Sequence, residues 1–343
     1  MAPAYPPGAV SRFLAWVDRL PWHGWWVFPA ILALLFATAH LVLWLSGLLP
    51  FGSFDSTIAV GVVYGPFTIG ALAYINRVAE RAVTAFWPAT GWPDTDRRAW
   101  TYRFVTTPGG VGWPCLLVGA AFAIGSYLQA PPTVLGAGGA NGLVPLAVYG
   151  PMLLFGYAML PAGIVHIGRQ LRLVARIHRE ATAVDPFDRG PLYAFSWLTA
   201  QAGLVFLIVA FYSLTANGAF QSGNLVSLAA VGVGLVLGVA CFVVPLWGMH
   251  DRLVLEKDQL LGEADERVAR LGAEMYARID AGRFDETKVI GEGLAGMAGL
   301  NERIRRLPTW PWPPQVLRGF LSALLVPVIV YVVSRLVGAQ IGA

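Results

Sequence analysis

The chain is poor in charge. Asp, Glu, Lys and Arg make up only 13% of its 343 residues, against 56% that are hydrophobic. That is too little charge to solvate the surface of a globular protein of this length, which excludes a soluble domain and implies a polytopic membrane protein. Cysteine is scarce as well. Cys115 and Cys241 are the only two, each inside an apolar run, so neither a disulfide framework nor a thiolate metal site is offered. No Asp, Glu, Lys or Arg lies in the middle of an apolar run. Coupled transporters need an ionisable group or a broken-helix ion site near the bilayer midplane, so that class is disfavoured. The five histidines, His23, His40, His166, His178 and His250, have no second ligand at metal spacing. There is no phosphate loop, nucleophile elbow or HExxH pattern either. The expectation is therefore a protein that is not an enzyme and holds no metal or cofactor.

What is present is an unequal distribution of basic residues. Of 24 Lys and Arg, all but Arg335 lie on one side of seven apolar segments. The basic stretches are the N-terminus (Arg12, Arg19), Arg77 to Arg103, Arg169 to Arg189, and Arg252 to Arg306 with Arg318, whereas Leu48 to Ser56, Gln129 to Asn141 and Ala216 to Asn224 contain none. Under the positive-inside rule the basic stretches face the cytoplasm. The expected spans are Trp25 to Leu49, Thr57 to Ile75, Trp113 to Leu128, Leu143 to Ile164, Phe195 to Thr215, Leu225 to Trp247 and Val316 to Val333. The fold class expected is thus all-α: a seven-helix bundle in the inner, cytoplasmic membrane, N-terminus inside and C-terminus outside. Its net charge of +4 is spread over the inner loops, which fits the lipid surface and not nucleic acid. The first apolar run is too long for a removable signal peptide and ends in no cleavage pattern.

Tryptophans mark the expected boundaries: Trp22, Trp25 and Trp26, then Trp87, Trp92, Trp100 and Trp113, then Trp247, Trp310 and Trp312. Ahead of the first span, Ser11 to Leu20 mixes Phe13, Leu14, Trp16, Val17 and Leu20 with charges, as in an interfacial helix. Two spans are expected to run on into the cytoplasm. After the fourth, Ile167, Leu171, Val174 and Ile177 continue a helical stripe beside Arg169, Arg172, Arg176 and Arg179, up to Val184-Asp185-Pro186. After the sixth, the chain from His250 to Asp280 lacks proline and keeps helical apolar spacing.

A turn at Ala281 to Phe284, with Asp285 as N-cap, should send a helix back to about Leu307. That returning arm is apolar or small over more than half its circumference. Either the fourth-span extension or a second subunit must cover it, and Leu294, Met297 and Leu300 are the assembly candidates. Pro308 to Pro314 carries four prolines and cannot be helical beyond its ends. It reads as an interfacial loop anchored by Trp310 and Trp312, or as a hinge linking a cytoplasmic assembly to the last span. Three regions result: 1–247, a six-span bundle; 248–307, a cytoplasmic helical hairpin; and 308–343, the linker and seventh span.

Inside the spans the polar residues are neutral, and such groups glue helices or line weakly selective channels. His40, inside the first span, is expected to make one hydrogen bond to a neighbouring helix, and His250-Asp251-Arg252 reads as an interfacial charge cluster. In the seventh span Gly319, Ser322, Val326, Ile329 and Val333 share a helical face. They are pore-lining candidates, and Pro327 with Trp310 and Trp312 are hinge candidates.

This architecture resembles the seven-helix ion channels of the insect chemoreceptor type: short outer loops, prolonged fourth and sixth spans, and a return helix leading into a short last span. The likeness covers most of the chain and is one of architecture, not of motifs. It implies a homo-oligomer anchored by the prolonged helices, with the last span lining the pore. The chain also resembles uncharacterised prokaryotic seven-span membrane proteins, a likeness that implies no function. An oligomeric channel is the first expectation. A membrane sensor or scaffold whose hairpin binds a partner is the second, and a lipid-handling transporter or enzyme the third.

Overall fold

The computed structural model describes residues 4–54, 61–129, 143–216 and 225–341. The expected outer loops, Leu48 to Ser56, Gln129 to Asn141 and Ala216 to Asn224, lie wholly or partly outside the described residues. Everything described is helical or loop, with no strand among the described residues. The helices are α1 (Ala9–Val17), α2 (Val27–Leu45), α3 (Tyr64–Thr90), α4 (Asp94–Val105), α5 (Gly109–Gln129), α6 (Leu143–Glu180), α7 (Ser196–Ala216), α8 (Leu225–Asp280), α9 (Thr287–Arg305) and α10 (Pro314–Ile341). Stretches of α2, α6, α7 and α8 are long and apolar enough to cross a bilayer, and α5 and α10 carry shorter apolar stretches.

The centre of the bundle is α3, which packs against α2, α4, α6 and α7. Its Ile69, Leu72, Ile75, Val78, Ala79, Val83 and Phe86 are all buried, following the i, i+3, i+4, i+7 rows that put residues on one side of a helix. The second span was expected to end at Ile75, but its helix runs on to Thr90. Asn76, Arg77, Glu80 and Arg81 end the apolar stretch without interrupting helical spacing. Charge ends a span, not a helix.

Gly91 then stops α3 at φ +70°, a left-handed conformation open to glycine and strained for other residues. Thr182 and Ala183 donate their backbone N–H to the carbonyls of Thr90 and Ala89. The ends of α3 and α6 are thereby tied together. The α6 stripe Ile167, Leu171, Val174 and Ile177 is buried throughout, and the helix ends at Glu180, short of Pro186. It passes through Pro151 and Pro161 unbroken, as α8 passes through Pro245.

Helices α7 and α8 cross closely. A Cβ on Gly203 would lie 2.5 Å from the Gly238 carbonyl oxygen and 2.8 Å from the Phe320 ring of α10. Small residues at such a crossing let two backbones approach. Helix α5 meets α6 in the same way, at Gly119 against the Tyr157 carbonyl and Ala158.

Trp87 and Trp100 are buried, and Trp92 stacks on Trp100 at 5.0 Å between ring centroids. They belong to the packing of α3 and α4, not to an interfacial belt. The α4 helix has no counterpart in the sequence reading, because its apolar residues gather on no single face. Helix α1 does not simply lie on a surface: Leu14 and Val17 are buried in the main core while Trp16 is exposed. Nor does Asp285 cap α9. It lies in a 3-10 turn, Phe284–Glu286, whose successor Glu286 makes no side-chain cap. The turn itself rests on Gly282 at φ +72°.

Candidate functional site

The densest polar arrangement is a buried knot where α3, α6 and the α4–α5 junction meet. Asn76 of α3 donates from Nδ2 to the Val105 carbonyl at 3.2 Å, which fixes its Oδ1 as the acceptor on the other side. That oxygen accepts from Gln170 Nε2 at 2.8 Å and pairs with His166 Nε2 at 2.7 Å. An amide oxygen can only accept, so the His166 proton resides on Nε2. Thr107 Oγ1 completes the ring at 2.6 Å from His166 Nδ1, where the hydroxyl donates to the neutral imidazole. Gln170 Nε2 also donates to the Phe104 carbonyl at 2.9 Å. Buried polar groups in such a network specify one packing of the helices, because each unmade bond costs desolvation.

The N-terminal segment is tied to this knot. The backbone N–H groups of Gly8 and Gly109 donate to the carbonyls of Thr107 and Pro6 respectively, and Ser11 Oγ accepts from Thr107 N. Tyr5 donates to the Thr106 carbonyl, accepts from Arg169, and its own carbonyl accepts from Tyr102. Burial raises the Tyr5 phenol pKa above its ordinary value, and the Arg169 charge only partly offsets this.

Beyond the knot along α6, His178 lies among the edges of Phe86 and Phe195 at 5.0 and 5.2 Å. Neither ring nitrogen makes a well-formed hydrogen bond, although the Pro245 carbonyl faces the ring. Its neighbours Phe195 and Pro245 belong to the inner ends of the fifth and sixth apolar segments, so the ring is enclosed by the packed bundle.

A second arrangement joins the hairpin to the last helix. Rings stack in a column from His250 through Trp310, Trp312 and Phe242 to Phe320, with centroid separations of 3.9, 4.4, 4.7 and 4.2 Å. His250 donates from Nδ1 to the Thr309 carbonyl at 3.0 Å. The hinge candidates Trp310 and Trp312 are therefore clamped between α8 and α10. The expected His250-Asp251-Arg252 cluster is not formed as one unit: His250 faces the linker, while Arg252 pairs with Glu256 and donates to the Ala181 carbonyl. Lys257 caps the far end of α9 by donating to the carbonyls of Arg305 and Leu307. Where one hydrogen bond to a neighbouring helix was expected, His40 Nδ1 donates to the Phe36 carbonyl of its own helix, and its ring packs at a tilt against Phe36 and Phe54.

Protein-family models, curated proteins and solved structures give no match to this chain.

The sequence-derived candidates divide by face. On α10, Val316, Leu317, Phe320 and Leu324 pack on the α7–α8 pair, while Gly319, Ser322, Val326, Ile329 and Val333 lie on the opposite side and are exposed. Pro327 is carried within this continuous helix. On α9, Ile290 and Ile304 are buried against α8 and Met297 packs against the same cluster; Leu294 is half-buried, and Leu300 and Val289 are exposed. Among the described residues no group of three or more His, Cys, Asp or Glu side chains is placed to hold a metal.

Proposed function

We propose that the chain spans the membrane seven times, N-terminus inside, and assembles into a homo-oligomeric, ion-channel-like protein whose last helix lines the pore. The supporting observation is the one-sided attachment of α10. Its packed face and the face of Gly319, Ser322, Val326, Ile329 and Val333 are opposite each other, and Val326 and Ile329 are 54% and 56% exposed. In a ring of subunits that bare face would surround the axis as an apolar constriction, of the kind that gates by dewetting. The aromatic column links the hairpin to this helix, so hairpin movement would be felt at the constriction. The architectural likeness to insect chemoreceptor channels points the same way.

Val326→Ser and Ile329→Ser test the proposal. Each should wet the constriction and raise ion flux from liposomes at least tenfold over the parent protein. Background flux from both variants, in protein that is folded and oligomeric, would refute the pore. The exposed Val289 and Leu300 on α9 favour a second reading, a scaffold whose hairpin binds a soluble partner. It would then take first place.

A further inference from the structure

An open apolar groove of about 480 Å³ lies between α2, α3 and α7, lined by Phe28 and Leu32, Phe67 and Gly70, and Leu204 and Ile208. Gln201 is the one amide side chain that reaches it. Its two ends differ. One is closed by Trp25 and Tyr74, whose ring centroids are 6.4 Å apart. There Arg77 lies over the Trp25 ring at 4.5 Å and pairs with Asp18 at 2.6 Å. The other end is formed by Val63, Leu32 and Ile208, without a charge.

Three observations agree on one occupant. The groove follows α3 from Val63 to Tyr74, about 16 Å at 1.5 Å per residue, close to the roughly 15 Å depth of one hydrocarbon leaflet. The face of α3 that lines it continues by helical spacing into Arg77 and then exposed Arg81, with exposed Arg19 following Asp18 on the docked N-terminal segment. Gly70 and Ala71 keep the floor of the groove low beside Phe28: a Cβ on Gly70 would already touch that ring, at 3.4 Å. A long apolar slot with aromatic rings and a charged rim at one end only, where Arg19, Arg77 and Arg81 outnumber Asp18 and Glu80, matches one chain of an amphiphile with an anionic head.

We propose that this groove holds an acyl chain of an anionic phospholipid from the leaflet on the basic side, with its phosphate at the Trp25, Arg77 and Arg81 rim. The proposal needs α3 to cross the bilayer but is independent of any pore. In this arrangement the lipid stiffens the contact of α2 with α3 and α7, and membrane composition acts on the bundle through that contact. Arg77 then serves both the Asp18 pair and the headgroup.

The test uses full-length protein in phosphatidylcholine nanodiscs doped with a phosphatidylglycerol that carries a photoactivatable diazirine in its acyl chain. Crosslinks should concentrate on Phe67 to Tyr74 and Leu204 to Ile208. They should fall at least fivefold in Ala71→Phe and in Ile208→Trp, two variants that fill the groove from opposite walls. Arg81→Gln, at an exposed position that leaves the Asp18 pair intact, should lower the preference for phosphatidylglycerol over phosphatidylcholine about fivefold. Crosslinks spread evenly over the exposed faces of α5 and α10, or unchanged in both filled variants, would overturn the site. Groove crosslinking that is lost on filling but indifferent to headgroup and to Arg81 would overturn the anionic assignment.

Discussion

Asn76 is the residue on which most of the buried polar knot depends. Asn76→Leu keeps the branched shape of the side chain, with bulkier tips, but leaves the His166 Nε2–H and the Val105 carbonyl without their partner, at about 1–3 kcal/mol for each. Thermal unfolding in detergent should show that loss. Thr84→Ala, whose hydroxyl only returns to the Glu80 carbonyl on an exposed face, should stay within about 0.5 kcal/mol. A second prediction concerns His178, buried between the edges of Phe86 and Phe195. His178→Asp would place a carboxylate there without a partner and should lower the melting temperature in detergent markedly, while His178→Phe, which keeps an aromatic ring, should cost far less. The knot was almost illegible in the sequence. Its members are as far apart as Asn76 and Gln170, and each alone looks like a polar residue near a span end. The available signal was that His166 and Gln170 border the buried stripe of Ile167, Leu171, Val174 and Ile177, where a solvated residue would be out of place.

At the scale of elements, close helix crossings are the most exacting feature. Gly203→Val would push against the Gly238 backbone and the Phe320 ring together, and overpacking of this kind costs about 1–3 kcal/mol. It should also loosen α10, read as faster proteolysis at the Pro308 to Pro314 linker. Gly262→Ala in the exposed part of α8, where an added Cβ meets nothing within 4 Å, should instead gain up to about 1 kcal/mol. Long elements were legible because apolar spacing and the absence of proline extend over many residues; α8 is one helix from Leu225 to Asp280, as His250 to Asp280 suggested. Boundaries were less so. Helix α3 outlasts its apolar stretch by four turns, and α10 reaches Ile341, beyond Val333, since a helix in water needs hydrogen bonds and neighbours more than hydrophobicity. Helix α4 was missed because tertiary contacts to α3 and α6, and not its own amphipathicity, hold it.

For the whole molecule, the three regions read from the sequence are joined more tightly than their boundaries suggest. The division at 247/248 falls inside α8, and the linker at 308–314 is stacked between α8 and α10. The base of the hairpin and the last helix are thereby in contact through the stacked rings of His250, Trp310, Trp312, Phe242 and Phe320. The apolar surface that the single chain leaves uncovered includes faces of α2, α5 and α8, and with them one side of α10 and Val289 with Leu300 on α9. In the channel arrangement the α10 face meets its copies around an axis; in a monomer it meets lipid. Cysteine crosslinking at Ile329 separates these cases most directly. In a background of Cys115→Ala and Cys241→Ala, Ile329→Cys protein in native-like membranes should form covalent dimers on mild oxidation, while Leu317→Cys, on the packed face, should not. Ile329→Cys protein that remains monomeric under oxidation, with its thiol still reactive to maleimide, would contradict the axial placement of α10.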